Sequence, residues 1–471
     1  MKKPILDRVL GLSGESGAQH PAYIIVLSAI VLAFLIAGGA RDDLVSLLVW
    51  RPVSALLFCL AVAQCWGGAW QRGRPLLLFG TAVLLLTGLH LVPLPPSIWT
   101  ALPGHDVIVD VYRSAGMDLP WQPLSVAQAR TWNVLFSLLG PLAVLIAALA
   151  LDSSRNRQLL LVLIGIGMFS GVIGMIQAIG PSNGLLYFYR LTNNGLGVGL
   201  FANRNHQAAF LATLYPLLAA NLSLFRGKPD KLFFQRAMTV TAACLVFSCA
   251  LMTGSRSGIV LLLVGIGFGW WVYRPPASQG RVVGVRGRHR SRLVGLSVAV
   301  FLLVLGLIVV ANTPALQRLL QTDPSSELRV QAFPVVVEAI GNYFPFGSGF
   351  GTFVEVYQVL EPDAFVTAFY FNHAHNDYAE WLVTGGVPAL LLFLWAVVLA
   401  GAAFLSLWRR RGAVRDDPDY SIQILGRAGF AIIVMLALAS MTDYPLRVPS
   451  LLLYATIAAV WCANAYRYNQ K

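Results

Sequence analysis

Long apolar runs, separated by short polar segments, recur along almost the whole chain. Many reach the roughly 20 residues that an α-helix needs to cross a bilayer, whereas a barrel strand would need only about 10 alternating residues. Only helices satisfy their own backbone in lipid over such lengths. The pattern predicts an all-α polytopic membrane protein with about 12 transmembrane helices, at residues 22–39, 44–68, 75–93, 131–151, 158–179, 207–225, 238–253, 257–273, 293–312, 387–407, 428–442 and 448–465.

Composition agrees with this pattern. The 471 residues are 57% apolar, with a mean hydropathy of +0.68, which is too apolar for a water-soluble fold. The first apolar run continues directly into a second, so we expect a retained helix and not a cleaved signal peptide. All five cysteines fall inside predicted spans without metal-type spacing. No repeat or linker divides the chain, so we expect a single membrane domain over residues 1–471.

The net charge of +13 is distributed unevenly along the chain. If the N-terminus is cytoplasmic, most lysines and arginines fall in alternate loops on that side, as the positive-inside rule requires. This arrangement predicts that both termini are cytoplasmic and that membrane lipids surround the protein. No aromatic-basic module accompanies the charge, so nucleic acid is not an expected partner.

Three segments on the predicted outer face exceed ordinary turns: residues 94–130, 180–206 and 313–386. The last is a large periplasmic loop before the tenth helix. Basic residues on this face run against the positive-inside bias and need a reason to be there. They are Arg41, Arg51, Arg113, Arg130, Arg190, Arg204, Arg256, Arg318, Arg329 and Arg447.

Two of these arginines precede predicted spans. Arg204 lies in "NRNH" before the sixth span, and Arg256 lies in "GSRSG" before the eighth. Unpaired N–H groups and the helix dipole favour an anion at such helix starts, and Asn203 and Ser255 are cap-type residues. Helix starts with guanidinium groups facing one compartment suggest a phosphate or diphosphate site. The alternative is that these arginines only reach lipid headgroups.

The stretch "FNHAHNDYAEWL", residues 371–382, concentrates polar side chains before the tenth span. His373 and His375 are two residues apart, and Asp377 with Glu380 has capping-box spacing. A metal pair completed by His206 is one interpretation, but neither HExxH nor CxxC is present. The other two interpretations are a structural histidine and a general base. A helix start favours the general base, because it disfavours the charged imidazolium and leaves a neutral ring that can accept a proton.

These motifs together resemble a known family. "NRNH", "GSRSG" and "RVQAFPVVVEAIGNYFPFGSGFGTF", followed by "HAHNDYAEWLVTGGVPALLLF", are similar to the O-antigen ligase and Wzy-type polymerase superfamily, over a core of roughly residues 180–400. In the ligases, a histidine, then Asn, Ser or Gln, then nine residues and a glycine mark the catalytic loop. His375, Asn376 and Gly386 keep that spacing, whereas the last motif position, usually Gly, Thr or Tyr, is Ala389.

The resemblance implies inverting, metal-independent glycosyl transfer at the periplasmic face of the bacterial inner membrane, with no cofactor. The donor would be a glycan on undecaprenyl diphosphate, and the acceptor a sugar hydroxyl of a lipid-linked repeat unit or of lipid A-core. Residues 313–386 would form the catalytic loop, with His375 as the general base. Arg204 and Arg256 would bind the diphosphate.

The resemblance assigns further residues less directly. Arg329 is a third candidate for the diphosphate, because it opens the family-like stretch that leads to the Gly-rich turn. His206, His373, Asn376 and Asp377 would support the site.

Two other functions are alternatives. A transporter or flippase of lipid-linked oligosaccharide would place ionisable groups near the bilayer midplane. Here most span centres are uncharged, which favours an enzyme. A protein O-oligosaccharyltransferase would use the same donor with a protein acceptor. Ligase and polymerase differ in their acceptor, and a polymerase, slightly favoured, has a chain-length regulator as a candidate partner.

Overall fold

The computed structural model describes residues 19–41, 44–275, 328–366, 370–410 and 420–470. It is 74% helix and 1% strand. Eight helices within these ranges are long and apolar enough to cross a membrane, which confirms a predominantly helical, multi-pass membrane protein. The span predicted at 293–312 lies outside the described residues. The count of twelve spans and the cytoplasmic position of the termini stay predictions.

The described helices are numbered here in chain order. They are α1 Gln19–Ile36, α2 Leu47–Leu89, α3 Pro96–Trp99, α4 Asp106–Ser114, α5 Gln128–Ser137, α6 Leu139–Ala150, α7 Ser153–Ile179, α8 Arg204–Ala212, α9 Leu214–Leu224, α10 Pro229–Leu251, α11 Arg256–Val272, α12 Leu328–Tyr343, α13 Phe353–Leu360, α14 Asp377–Arg409, α15 Tyr420–Ala439 and α16 Pro449–Asn469. Two short strands, β1 Pro93–Leu94 and β2 Gln122–Pro123, pair antiparallel.

Helix α2 reverses direction at Gly73, whose φ and ψ of −143° and 35° are not helical. A straight helix would separate Trp50 from Gly80 by about 45 Å at 1.5 Å per residue. Yet Trp50 lies against Gly140 and Gly80 lies against Leu142, which are neighbours on α6. The second and third predicted spans are therefore the two arms of a helical hairpin. The predicted spans in the described ranges all lie largely on helices.

Helices α1, α8 and α16 meet in the main apolar core. Phe34 on α1 packs against Phe210 on α8 at 4.8 Å between ring centroids, and Phe210 packs against Tyr454 on α16 at 5.3 Å. On α15, Gly429 lies so close to the Ala458 carbonyl that a Cβ would collide with it. Membrane helices associate through such close backbone packing at small residues. Moving an apolar side chain from lipid into a helix interface gives no hydrophobic gain that could drive association instead.

A second apolar cluster lies in the described part of the predicted 313–386 loop. Residues of α12 and α13, including Val336 and Tyr357, pack on Ala374 and on Val383 of α14. The Gly-rich turn between α12 and α13 is anchored to a residue outside the 313–386 region, because the Phe350 N–H donates to His90 Nδ1 at 3.2 Å. The described part of this region is therefore folded helix and turn that supports the chain leading into α14.

Candidate active site

A cavity of about 290 Å³ lies where α1, α8, α12 and the start of α14 converge. Four of the residues predicted for the site line it: Arg204, His206, Arg329 and His375. The rest of its lining is mostly polar. The other lining residues are Ala40, Arg41, Leu191, Thr192, Asn193, Ala202, Asn203, Asn205, Asn372 and Tyr444.

Asp443, in the turn between α15 and α16, is the carboxylate at the centre of this site. Its Oδ1 lies 3.3 Å from His375 Nδ1 and 3.6 Å from His206 Nε2. Its Oδ2 accepts hydrogen bonds from the side-chain amides of Asn205 at 2.6 Å and Asn203 at 3.3 Å. The side chain is only 4% exposed. Four polar side chains therefore converge on one buried acid.

The surroundings of Asp443 keep it ionised. Burial acts to raise the pKa of its carboxyl, but the neighbouring His206 and His375 side chains outweigh burial and hold that pKa well below its usual range. A carboxylate that faces Nδ1 of His375 favours the tautomer with its proton on Nδ1, and we assign that tautomer from the contact. The basic nitrogen is then Nε2. This is the arrangement by which an acid orients an imidazole for general-base catalysis.

The backbone of His375 is strained. Its φ of +50° is positive, and no other described residue except glycine has a positive φ. The rings of Phe371 and Tyr444 lie 5.3 and 4.9 Å from its imidazole. Asn376 follows as the N-cap of α14, its side chain accepting the N–H groups two and three residues on. A strained residue held from both sides is typical of functional sites.

The predicted capping box of Asp377 and Glu380 is wrong, because Asn376 is the cap and both acids bind other groups. Arg447 joins them, with its Nε 3.2 Å from Asp377 Oδ1 and its Nη1 3.1 Å from Glu380 Oε1. The Nδ1 atom of His373 lies 3.1 Å from the same Glu380 oxygen. His373 and Asp377 are not among the cavity-lining residues. They belong to a buried ion network beneath the loop that carries His375.

Arg204 is the first residue of α8, as its position before the sixth span predicted. Asn203 caps this helix by accepting the Asn205 N–H at 2.8 Å. The Nη1 atom of Arg204 donates to the Gly254 carbonyl at 3.0 Å, which holds the guanidinium at the cavity wall. The predicted helix-start position of Arg204 is therefore confirmed, and its role in binding an anion stays a prediction.

Arg256 is likewise the first residue of α11, capped by Ser255, whose side chain accepts the Gly258 N–H at 3.0 Å. The Ser255 hydroxyl also donates to Asn205 Oδ1 at 2.8 Å, which ties the starts of α8 and α11 together. Arg256 is not among the residues that line the cavity. It lies beside the site, one helix start away from Arg204.

The sequence interpretation missed Asp443 as a site residue, and it left Arg41 and Arg447 without a role. A usable signal existed for Asp443: it is the acid in "MTDYPLR", the short segment between the last two predicted spans. The positive-inside pattern predicts that Arg41 and Arg447 lie on the outer face. Sequence alone does not tell which of them return to a shared site.

No group of three His, Cys, Asp or Glu side chains within the described ranges is arranged to hold a metal ion. Metal independence stays a prediction.

Comparison with known families bears on this site directly. Residues 241–394 match the family model described as O-antigen ligase. This segment, about one third of the chain, is similar to that family. The match confirms the resemblance drawn from the motifs, and it contains Arg256, Arg329 and His375. No curated protein matches the chain.

The O-antigen ligase family implies glycosyltransferase-type activity in polysaccharide or lipopolysaccharide assembly, with lipid-linked glycan and acceptor substrates in general. Arg204 and Asp443 lie outside the matched segment. Their placement beside His375 comes from the fold.

Proposed function

We propose that this protein transfers a glycan from undecaprenyl diphosphate to a sugar hydroxyl of an acceptor, at the periplasmic face of the bacterial inner membrane. The observation that carries the proposal is an imidazole, His375, whose Nδ1 lies 3.3 Å from the buried Asp443 carboxylate, beside a cavity lined by Arg41, Arg204 and Arg329. A base next to three cations suits a substrate pair made of a neutral hydroxyl and an anionic leaving group. The match of residues 241–394 to the O-antigen ligase family supports the same chemistry.

The acceptor is activated by His375. Its Nε2 takes the proton of the acceptor hydroxyl as that oxygen attacks the anomeric carbon of the donor sugar. The bond from this carbon to the diphosphate oxygen breaks, and its electron pair leaves with the diphosphate. Attack opposite the leaving group inverts the anomeric centre. The Asp443 carboxylate stabilises the imidazolium that forms.

The leaving diphosphate is stabilised by guanidinium groups. Arg41, Arg204 and Arg329 line the cavity, and the N-terminus of α8 contributes its dipole. Arg256 remains a proposed ligand, because the Ser255–Asn205 hydrogen bond places its helix start next to that of α8. Cations fixed in advance at the leaving oxygen stabilise charge as it develops, which lowers the barrier.

The remaining predicted residues support these two roles. His206 shares the Asp443 carboxylate with His375, and Asn376 fixes the start of α14. His373 and Asp377 hold the loop through the Arg447 network. Repeat-unit polymerase and O-antigen ligase remain two forms of this proposal that differ in the acceptor, and a chain-length regulator would accompany the polymerase.

An assay in detergent separates transfer from transport. The purified chain is mixed with a polyprenyl-diphosphate glycan and candidate acceptors, and the product and the released polyprenyl diphosphate are measured by mass spectrometry. A detergent micelle does not separate two compartments, so a flippase would give no product in this assay. We expect transfer that survives EDTA. Absence of product with every lipid-linked and lipid A-core acceptor, from a monodisperse protein, contradicts the proposal, and loss on chelation restored by one divalent ion contradicts metal independence.

A further inference from the structure

A second and larger cavity, of about 520 Å³, lies at the opposite end of α1 from the candidate active site. Gln19, the first residue of α1, donates to the Ala150 carbonyl at 3.2 Å and accepts the Asp152 N–H at 3.2 Å, beside this second cavity. Ala40, just beyond the other end of α1, lines the active-site cavity. The 18 residues of α1 span about 27 Å. The two cavities therefore open toward opposite faces of the membrane domain.

Two arginines from different helices line this second cavity, Arg72 at the reversal of α2 and Arg467 near the end of α16. Arg72 is held in place, because its Nη1 donates to the Ala150 carbonyl at 2.6 Å. The Nε of Arg467 is buried and has no hydrogen-bond partner among the described residues. The Arg72 charge is close enough to act on Arg467 electrostatically.

The acid in this cavity does not neutralise the two arginines. Asp152 uses its Oδ1 to cap α7, accepting the Arg155 N–H at 2.8 Å. In the described part of the chain, no carboxylate lies within ion-pair distance of Arg72 or Arg467. Two like charges held together in a partly buried cavity repel each other, and that repulsion is relieved when an anion lies between them.

We propose that a phosphate group binds between Arg72 and Arg467. Planar guanidinium groups match phosphate oxygens in pairs, and the Asn464 side chain lines the same wall. Trp461 and Leu425 supply an apolar wall beside the charges. Basic pockets between transmembrane helices hold anionic lipid headgroups in this way. The phosphate comes from the headgroup of an anionic phospholipid or from a soluble phosphate compound, and the experiment distinguishes these two sources.

The test uses the full chain, purified in a neutral detergent. Phosphatidylglycerol, phosphatidylethanolamine and inorganic phosphate are each titrated, with binding measured by native mass spectrometry and thermal melting. Arg467→Gln is the main variant, because Arg72→Gln would also remove the contact with the α6 carbonyl. Arg74→Gln is the matched control: Arg74 lies two residues from Arg72 but is exposed, packs over Trp70 at 5.3 Å and does not line the cavity.

We expect phosphatidylglycerol or inorganic phosphate to stabilise the wild-type chain, and Arg467→Gln to weaken that binding at least about fivefold. Arg74→Gln should bind like wild type. Stabilisation by phosphatidylglycerol alone assigns the lipid source, and stabilisation by inorganic phosphate assigns the soluble one. The proposal is overturned if neither phosphatidylglycerol nor inorganic phosphate stabilises the protein, or if phosphatidylethanolamine stabilises it equally well. It is also overturned if Arg467→Gln loses no more affinity for the stabilising ligand than Arg74→Gln does. Glycan transfer in detergent by Arg467→Gln checks that the variant is folded.

Discussion

At the scale of single residues, the chemistry of the site depends on which nitrogen of His375 is basic. The Asp443 carboxylate lies 3.3 Å from Nδ1 and remains ionised, so it favours a proton on that atom and stabilises the imidazolium during reaction. The same carboxylate anchors Asn205 from the start of α8. Asp443 thus positions the base relative to the arginine that we assign to the diphosphate.

Asp443→Asn should lower glycan transfer by about 100-fold or more, because the amide no longer stabilises the imidazolium. The depressed pKa of Asp443 keeps its carboxyl ionised at neutral pH in the wild-type chain, and the stability that this carboxylate contributes is lost only as the pH falls below the range of ordinary carboxyls. Single-turnover rates of the two proteins at neutral pH test the predicted loss of transfer.

The control for that variant is Asp118→Asn, an exposed acid on the loop between α4 and β2. It should transfer at the wild-type rate. A wild-type rate from Asp443→Asn would remove Asp443 from the mechanism.

Arg204→Ala should weaken donor binding as well as turnover, because it removes a guanidinium from the cavity that we assign to the diphosphate. Arg204→Lys should restore part of both, since lysine keeps the charge but lacks the planar fork. Donor affinity and single-turnover rate, measured with purified lipid-linked donor, separate the two effects. The control is Arg113→Ala, which removes an arginine on the predicted outer face whose side chain is 71% exposed. Unchanged donor affinity in Arg204→Ala would place the diphosphate elsewhere.

At the scale of elements, the break in α14 joins the helix to the Gly-rich turn. Gly386 has φ of +54° and ψ of −145°, which only glycine adopts readily. The carbonyls of Val383 and Thr384, released from the helix by this break, accept the N–H groups of Ser348 at 3.0 Å and Gly349 at 2.9 Å. Gly386, the glycine of the family motif, therefore has a structural role. The break at this residue lets α14, which follows His375, dock onto the Gly-rich turn.

Gly386→Ala should lower the free energy of unfolding by about 1–3 kcal/mol, which is the cost of holding a residue with a side chain in a sparsely populated backbone conformation. The added Cβ would also run into the carbonyl of Pro345. Thermal melting in detergent measures the effect. Gly401→Ala, farther along α14 where a Cβ meets nothing within 4 Å, is the control and should melt like wild type. Equal melting temperatures for the two variants would show that the break is not required.

Sequence reasoning found the parts of the site that local rules determine. Apolar runs located the helices, and cap-type residues located Arg204 and Arg256 at helix starts. It did not find the His375–Asp443 pair, because the two residues are 68 positions apart and only the packing of α14 against α15 and α16 brings them together. It also misassigned Asp377 to a cap, since spacing alone cannot show that Arg447 binds this carboxylate.

At the scale of the whole molecule, α1 separates two polar cavities that face opposite sides of the membrane domain. The positive-inside pattern of the sequence predicts that the active-site end faces the periplasm. We expect that orientation to give the active site access to donors presented on the outer leaflet. The same prediction puts the Arg72–Arg467 cavity on the cytoplasmic side.

Single cysteines test this orientation in a background without the native cysteines, of which Cys59 is exposed. Ser114→Cys, at the exposed end of α4, should react with an impermeant thiol reagent in intact spheroplasts. Lys228→Cys, exposed at the start of α10, should react only after lysis. The reverse result would place the cavity of His375 in the cytoplasm and exclude periplasmic transfer.

The central claim is that His375 removes the proton of the acceptor hydroxyl. The most direct measurement compares wild type and His375→Ala, reconstituted with lipid-linked donor and acceptor, for both turnover and donor affinity. A base acts mainly in the transition state, so turnover should fall by about 100-fold or more while donor affinity changes little. Near-normal transfer by His375→Ala would contradict the account, and the base would then have to be another group at the cavity.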